Sequence, residues 1–221
     1  MAKKIGIDLG TTNTLVYVLG KGIVLNEPTV VAINQATKKV VAIGAEAKAM
    51  LGKTPDSIVV YRPMQDGAIA DYHVTLAMLK YFITKALGRN SFFKPDVLVS
   101  VPAGISSTER RAVIEASVKA GAKSAVIVKE TILAALGAGV TINEPRGHMI
   151  IDIGGGTTDV AVISLGGVVA STSVKHAGNK IDKAIVEYLR KTYGVAIGDQ
   201  TAEELKKSLC SALAITPDIK A

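Results

Sequence analysis

Residues 149–164 read MIIDIGGGTTDVAVIS, and no other stretch constrains the fold of this chain as strongly. An apolar run ends at Asp152, three glycines, two threonines and a second acid follow, and another apolar run begins at Val160. That order is strand, tight turn, strand. Gly154, Gly155 and Gly156 carry no Cβ, so backbone N–H groups in the turn can approach a phosphate closely. Thr157 and Thr158 can add hydroxyl donors. Asp152, at the end of the first strand, suits the water shell of a Mg2+ ion. Taken alone, the stretch also fits a Gly-rich hairpin with no ligand.

The stretch does not stand alone. Residues 4–18, KIGIDLGTTNTLVYV, repeat the order around Asp8: apolar strand, acid, a Gly-Thr-Thr turn, apolar strand. Two copies make an internal repeat at domain scale. Two such hairpins facing each other would clamp one polyphosphate and its metal from both sides. The Walker pattern is absent, and a Rossmann Gly-x-Gly-x-x-Gly turn should open a helix. Here strand-like sequence follows both turns.

The remaining pattern is mixed α/β. Residues 21–33 are strand-like with a break expected at Asn26-Glu27-Pro28. Residues 38–43 add a strand and 45–51 a short helix, whereas 53–71 read as irregular. Helical spacing covers 74–87, with Gly88 as the stop. A strand over 97–101 precedes a helix from the capping box Ser106–Glu109 to about Lys119. A strand over 125–128 runs into Lys129-Glu130 and a small-residue helix, so this part of the sheet is parallel with right-handed crossovers. An acid at the C-terminal end of a strand is a common place for chemistry in open α/β sheets. Pro145–Gly147 suggests a boundary, giving domains 1–146 and 147–221. After the second hairpin, 168–174 is a strand and 180–192 a helix with Ile181, Ile185 and Leu189 on one face. A second capping box, Thr201–Glu204, is expected to open the last helix.

No apolar run approaches the ~20 residues that cross a bilayer. The single cysteine, Cys210, excludes an internal disulfide, fits a reducing cytoplasm and reads as a buried small residue. The net charge of +7 is spread along the chain and permits an anionic surface as partner. An aromatic content of 4 % without Trp weighs against a base-stacking surface, so no nucleic-acid partner is expected. His73, His148 and His176 lack metal-ligand spacing. In GRNSFFKP, residues 88–95, Phe92 and Phe93 lie between Arg89 and Lys94. They suit either a core contact or a hydrophobic prong entering anionic lipid.

The pair IGIDLGTTNT and IDIGGGTTDV resembles the two phosphate loops of the actin, sugar-kinase and heat-shock-chaperone ATPases. KGIVLNEPTVVAI, DGAIADYHVTLAMLKYFI, ERRAV and IIDIGGGTTDVAVISLGG narrow the resemblance to the MreB family of bacterial actins, over residues 1–213. The resemblance implies an actin-like, ribonuclease H-like ATPase fold with two lobes, each a mixed sheet flanked by helices, the second lobe incomplete. It implies ATP and Mg2+ as ligands, with Asp8 and Asp152 approaching the metal through water. Gly10, Thr11, Thr12 and Asn13 would line one phosphate loop and Gly154, Gly155, Gly156, Thr157 and Thr158 the other. Glu130 would orient the attacking water, with Asp152 and Thr158 beside it in slow hydrolysis. Gly178, Glu203 and Lys206 would meet the nucleoside. Phe92 and Phe93 align with a membrane-inserting loop of some members.

The implied partners are further copies in a head-to-tail filament, lipid on the inner face of the cell membrane, and membrane and wall-synthesis proteins. The implied place is the cytoplasm beside that membrane, and the implied role is cell shape. Two departures stand out. Lys129-Glu130-Thr131 replaces the family's Glu-Glu-Pro, and the lysine is expected to lower the pKa of Glu130. Gly178-Asn179-Lys180-Ile181-Asp182 replaces Gly-Asp-Glu-x-Asp and loses two acids. Family members continue past residue 221, through a Gly-rich adenosine loop and half of the filament contact. The alternatives are a nucleotide-binding module without polymerisation or turnover, and a small-molecule kinase. A kinase needs an acceptor pocket that no segment supplies, and a chaperone ATPase needs a substrate domain and linker that are also missing.

Overall fold

The computed structural model describes residues 3–65, 68–69, 71–88 and 93–213. Its elements are β1 (Lys4–Leu9), β2 (Asn13–Val18), β3 (Gly22–Pro28), β4 (Val31–Asn34), β5 (Val40–Ile43), α1 (Ala45–Ala49), β6 (Ile58–Tyr61), β7 (Met64–Gln65), β8 (Ala68–Ile69) and α2 (Tyr72–Leu87). They continue as β9 (Asp96–Val101), α3 (Ser107–Lys119), β10 (Ser124–Lys129), α4 (Glu130–Gly137), β11 (His148–Ile153), β12 (Thr158–Ser164), β13 (Gly167–Val174), α5 (Gly178–Tyr193) and α6 (Asp199–Leu209).

The main sheet has the order β10-β9-β1-β2-β3. β1 and β2 form the first hairpin, antiparallel in register from Ile5↔Val18 to Leu9↔Thr14. β9 runs parallel to β1, and β10 parallel to β9. The strict alternation of KIGIDL explains β1: Ile5, Ile7 and Leu9 are buried while the residues between them turn the other way. α2 lays Val74, Met78, Leu79, Phe82 and Ile83 into the core that holds Ile5, Ile7, Val16 and Val99. Asp71 caps α2, its side chain accepting from the Val74 N–H. The Ser106–Glu109 capping box forms at α3 as the sequence indicates.

The second hairpin sits in a separate antiparallel sheet, β11-β12-β13. By compactness the chain divides into Met1–Lys175 and His176–Ala221. The boundary between these compact units falls after β13. Contacts of the second hairpin with Thr11 and with the residues after β9, described below, tie this sheet to the first unit. The second unit contains α5 and α6. Gly194, left-handed at φ 68°, ends α5. Ile185 and Leu189 are half-buried, whereas Ile181 is exposed.

Several local expectations change. β3 runs through Pro28, and the break falls at Thr29-Val30, where the Val30 N–H turns back to the Pro28 carbonyl. Residues 58–61 are not irregular: β6 pairs with β4 in the small sheet β5-β4-β6. The Thr201–Glu204 capping box does not form, because α6 begins three residues earlier, at Asp199 after Gly198. Thr201 then lies inside the first turn. Cys210 is exposed, since α6 ends at Leu209 and the backbone becomes extended.

Candidate functional site

The first hairpin is built from behind. The Gly10 carbonyl accepts from the Thr29 hydroxyl at 2.7 Å, and the Thr12 carbonyl accepts from the Thr29 N–H at 2.9 Å. The buried Thr14 and Thr29 hydroxyls lie 2.9 Å apart. Arg62 Nη1 donates to the carbonyls of Thr11 and Thr12 at 3.4 and 3.5 Å. Protein donors thus engage the carbonyls of residues 10–12 from behind the turn. Gly10 is obligatory: a Cβ there would stand 2.6 Å from the Asn13 carbonyl oxygen. Asn13 itself opens β2.

The second turn is closed by the Gly154 N–H donating to the Thr157 carbonyl at 2.9 Å. Gly156 faces Thr11, and a Cβ on Gly156 would come within 2.6 Å of Thr11 Oγ1. The two turns therefore touch, and only glycine permits that approach. Thr11 and Thr157 are buried there, and Thr158 starts β12 opposite Ile153. Gly155 completes the turn.

Four carboxyl groups share this region. Asp8, on β1, accepts from Ser100 Oγ at 2.5 Å. Asp152 and Asp159 are direct cross-strand partners. Asp159 is 1 % exposed and accepts from the Ala103 N–H at 2.8 Å. Glu130 opens α4 at the end of β10. Its carboxyl is pushed up to about 8, first by burial and then by the charges of Asp8, Asp159 and Asp152. Asp152 is likewise raised, by burial and then by Asp159 and Asp8. Lys129 does not lower Glu130, against the sequence expectation. Its ammonium reaches Ser171 Oγ at 3.5 Å, and burial and the three aspartates set the Glu130 shift.

Among the described residues, no three His, Cys, Asp or Glu side chains converge closely enough to hold a metal directly. Crowded carboxyls, with Glu130 and Asp152 raised, would fit a hydrated divalent cation, which Asp8 and Asp152 would hold through its water shell. Such an ion would supply charge neutralisation for a polyphosphate.

The structure thus brings together Asp8, Gly10, Thr11, Thr12, Glu130, Asp152 and the 154–158 turn. Sequence reading passed over Asp159, Ser100 and Arg62. The acid at 159 was visible after the two threonines, but its role depends on Ala103, 56 positions away. In the second unit, Gly178 opens α5, and Lys206 Nζ lies 2.8 Å from Asp182 Oδ1 and donates to the Gly178 carbonyl at 3.1 Å. Glu203 pairs with Lys207 at 2.7 Å. Phe93 is 71 % exposed, which excludes the core-contact reading for that residue. Phe92 lies outside the described residues. Among the described residues, no helix is long and apolar enough to cross a membrane.

A family model described as MreB/Mbl protein matches residues 2–219. The cell shape-determining protein Mbl of Bacillus cereus (strain ATCC 10987 / NRS 248) is 51 % identical over 205 residues, covering 93 % of this chain and 62 % of that protein. MreB of Escherichia coli (strain K12) is 52 % identical over 214 residues, covering 94 % and 61 %. The chain therefore spans about three fifths of the length of these relatives. The crystal structure of MreB5 of Spiroplasma citri bound to AMPPNP superposes with a TM-score of 0.90 at 42 % identity, covering 98 % of this chain and 65 % of that one. A MamK double helical filament superposes with a TM-score of 0.78 at 22 % identity, covering 94 % and 65 %, which shows the actin-like fold alone.

Proposed function

Since the chain belongs to the MreB/Mbl family, we propose that it binds ATP with Mg2+ between its two glycine-threonine hairpins and serves in bacterial cell shape as an actin-like filament protein. The observation that carries this reading is the contact of the two turns at Gly156 and Thr11, with four carboxyl groups around it. In the proposal Asp8 and Asp152 hold the hydrated metal, Gly10–Asn13 and Gly154–Thr158 cradle the phosphates, and Glu130 orients water for slow hydrolysis with Thr158 beside it. Gly178, Glu203 and Lys206 are the proposed nucleoside contacts, on resemblance alone. Head-to-tail self-association, wall-synthesis partners and a cytoplasmic place at the inner membrane belong to the same proposal.

Calorimetric titration of the 221-residue chain with ATP tests the reading. Binding is expected with Mg2+ and is expected to weaken at least roughly tenfold without it or in Asp152→Asn, given charge-assisted contacts of ~1.5–3 kcal/mol. A folded chain that binds no nucleotide under either condition rejects the reading at this chain length.

Membrane contact is supported by a separate observation. The parallel register of β1, β9 and β10 gathers the residues preceding each strand at one sheet end. Asp96 N–H donates to the Lys3 carbonyl at 3.0 Å, and Lys123 N–H donates to the Pro95 carbonyl at 2.7 Å. Exposed Lys3, Lys4, Lys94 and Lys123 therefore accompany exposed Phe93. An apolar prong with a cationic rim supplies the two signals that stable binding to anionic lipid requires. Replacing Phe92 and Phe93 with serine is expected to abolish co-sedimentation with vesicles containing anionic phospholipid. Undiminished co-sedimentation would remove these residues from the lipid contact.

A further inference from the structure

The C-terminal end of β9 and the residues just after it touch both hairpins. Ser100, 4 % exposed, donates its hydroxyl to Asp8 of the first hairpin at 2.5 Å. Three residues on, the Ala103 N–H donates to Asp159 of the second hairpin at 2.8 Å. Asp159 is 1 % exposed, so its bond is shielded from competing water. A third contact lies beside these two: a Cβ on Gly104 would stand 3.0 Å from Ser173 Cβ on β13.

The connecting segment is itself held at both ends. Upstream, β9 is paired on both sides, with β1 and with β10. Downstream, the Ile105 N–H returns to the Pro102 carbonyl at 3.3 Å, and the Ser106–Glu109 box fixes the start of α3. Ser106 N–H and Oγ donate to the Glu109 carboxylate at 2.8 and 2.6 Å. The two outward hydrogen bonds of residues 100–103 go to the two carboxyl-bearing hairpins.

We infer that residues 100–103 are a positioning bracket that sets the separation of the two hairpins, with Ser100 and Asp159 as its positioning residues. The inference rests on the nucleotide reading for its consequence, but not for its geometry. A polyphosphate held from two sides requires donors at a fixed spacing, and displacement by about 1 Å costs on the order of a hundredfold in rate. Gly156 against Thr11 sets how closely the turns can approach, and the bracket keeps their bases from drifting. Asp159 therefore acts through the hairpin and does not itself need to touch phosphate.

The test compares Ser100→Ala, Asp159→Ala and Asp159→Asn in the full chain. Asparagine keeps an acceptor for the Ala103 N–H and removes the charge. The first readout is amide hydrogen exchange without nucleotide. Asp159→Ala is expected to accelerate exchange at Ala103 and across residues 154–158, and Ser100→Ala across 8–13. Asp159→Asn should leave both near the parent, and Ile5 and Ile7 should stay protected in every variant. The second readout is affinity for ATP with Mg2+, expected to fall roughly tenfold or more in both alanine variants and to fall less in Asp159→Asn than in Asp159→Ala. Unchanged exchange in both hairpins of the alanine variants overturns the bracket. Equal loss of affinity in Asp159→Ala and Asp159→Asn overturns it too, since the charge would then be the active property. If exchange responds as expected while the parent binds no ATP, the bracket stands and the nucleotide reading fails.

Discussion

Raising the pH from about 5.5 to 8.5 is expected to destabilise the metal-free chain, and Glu130→Gln is expected to abolish most of that loss. The Glu130 carboxyl is raised from its ordinary range to about 8 in the folded chain, and Asp152 is raised as well. Between the ordinary carboxyl range and pH 8 the folded chain therefore holds protons that the unfolded chain has released. Stability falls with pH wherever the folded state binds more protons. The contribution is present in full below about pH 4.5 and is gone once the pH passes the folded value. The Glu130 shift corresponds to about 5 kcal/mol at ~1.4 kcal/mol per pKa unit, and partial access of water lowers the expected loss to on the order of 2–4 kcal/mol. Glu109 and Glu115 have lowered pKa values, so their contributions change only as the pH falls through the acid range, below this window. Urea unfolding at the two pH values, with and without millimolar Mg2+, measures the effect. The parent should lose stability at pH 8.5 and regain it with Mg2+. A flat pH dependence in the parent, or one unaltered in Glu130→Gln, would show that Glu130 is not the group responsible.

The features legible in the sequence are those whose cause lies within a few residues. The alternation of KIGIDL and the Gly-Thr-Thr turns specify the hairpins locally, and Ser106–Glu109 works as a cap because Pro102 and Gly104 keep the preceding chain out of a helix. Thr201–Glu204 has the same spacing and fails, because Asp199 and Gln200 before it carry the helix further back. β6 was hidden because Pro55 and Pro63 surround a four-residue strand whose identity comes from pairing with β4. Lys129 is the instructive case at the site. It is adjacent to Glu130 in sequence, but Glu130 begins a helix and Lys129 ends a strand, so the ammonium departs toward Ser171. The charges that govern Glu130 arrive instead from Asp8, Asp152 and Asp159, on three other strand positions. No local pattern announces them. The links Ser100–Asp8 and Ala103–Asp159 span 92 and 56 positions and depend on sheet register, which a linear reading does not contain.

The same Glu130→Gln change is expected to abolish the proposed ATP hydrolysis while leaving ATP–Mg2+ affinity within about threefold of the parent; the chemical loss should be roughly a hundredfold or more, the range for a positioned general acid–base group. The glutamine side chain has nearly the shape of the glutamate, so α4 and the end of β10 should be undisturbed. It cannot accept a proton from water, and it presents both an acceptor and a donor where the carboxylate presents acceptors only. The pH profile supplies a second check. In the proposal the ionised Glu130 is the active form, so kcat/KM, which reports the free protein, should climb to a limb near pH 8. Phosphate release under multiple turnover, measured from pH 6 to 9 alongside calorimetric affinity, decides the matter. Retained hydrolysis in Glu130→Gln would move the water-orienting role elsewhere, and lost affinity would make Glu130 part of the binding site. The two predictions for Glu130 oppose each other in sign. The carboxyl that the folded chain is least able to ionise is the one placed where hydrolysis would need it, so its removal should stabilise the metal-free fold at pH 8.5 and silence the chemistry together. That pairing separates a functional carboxyl from a merely misfitted one, whose removal would stabilise the chain at no cost to turnover.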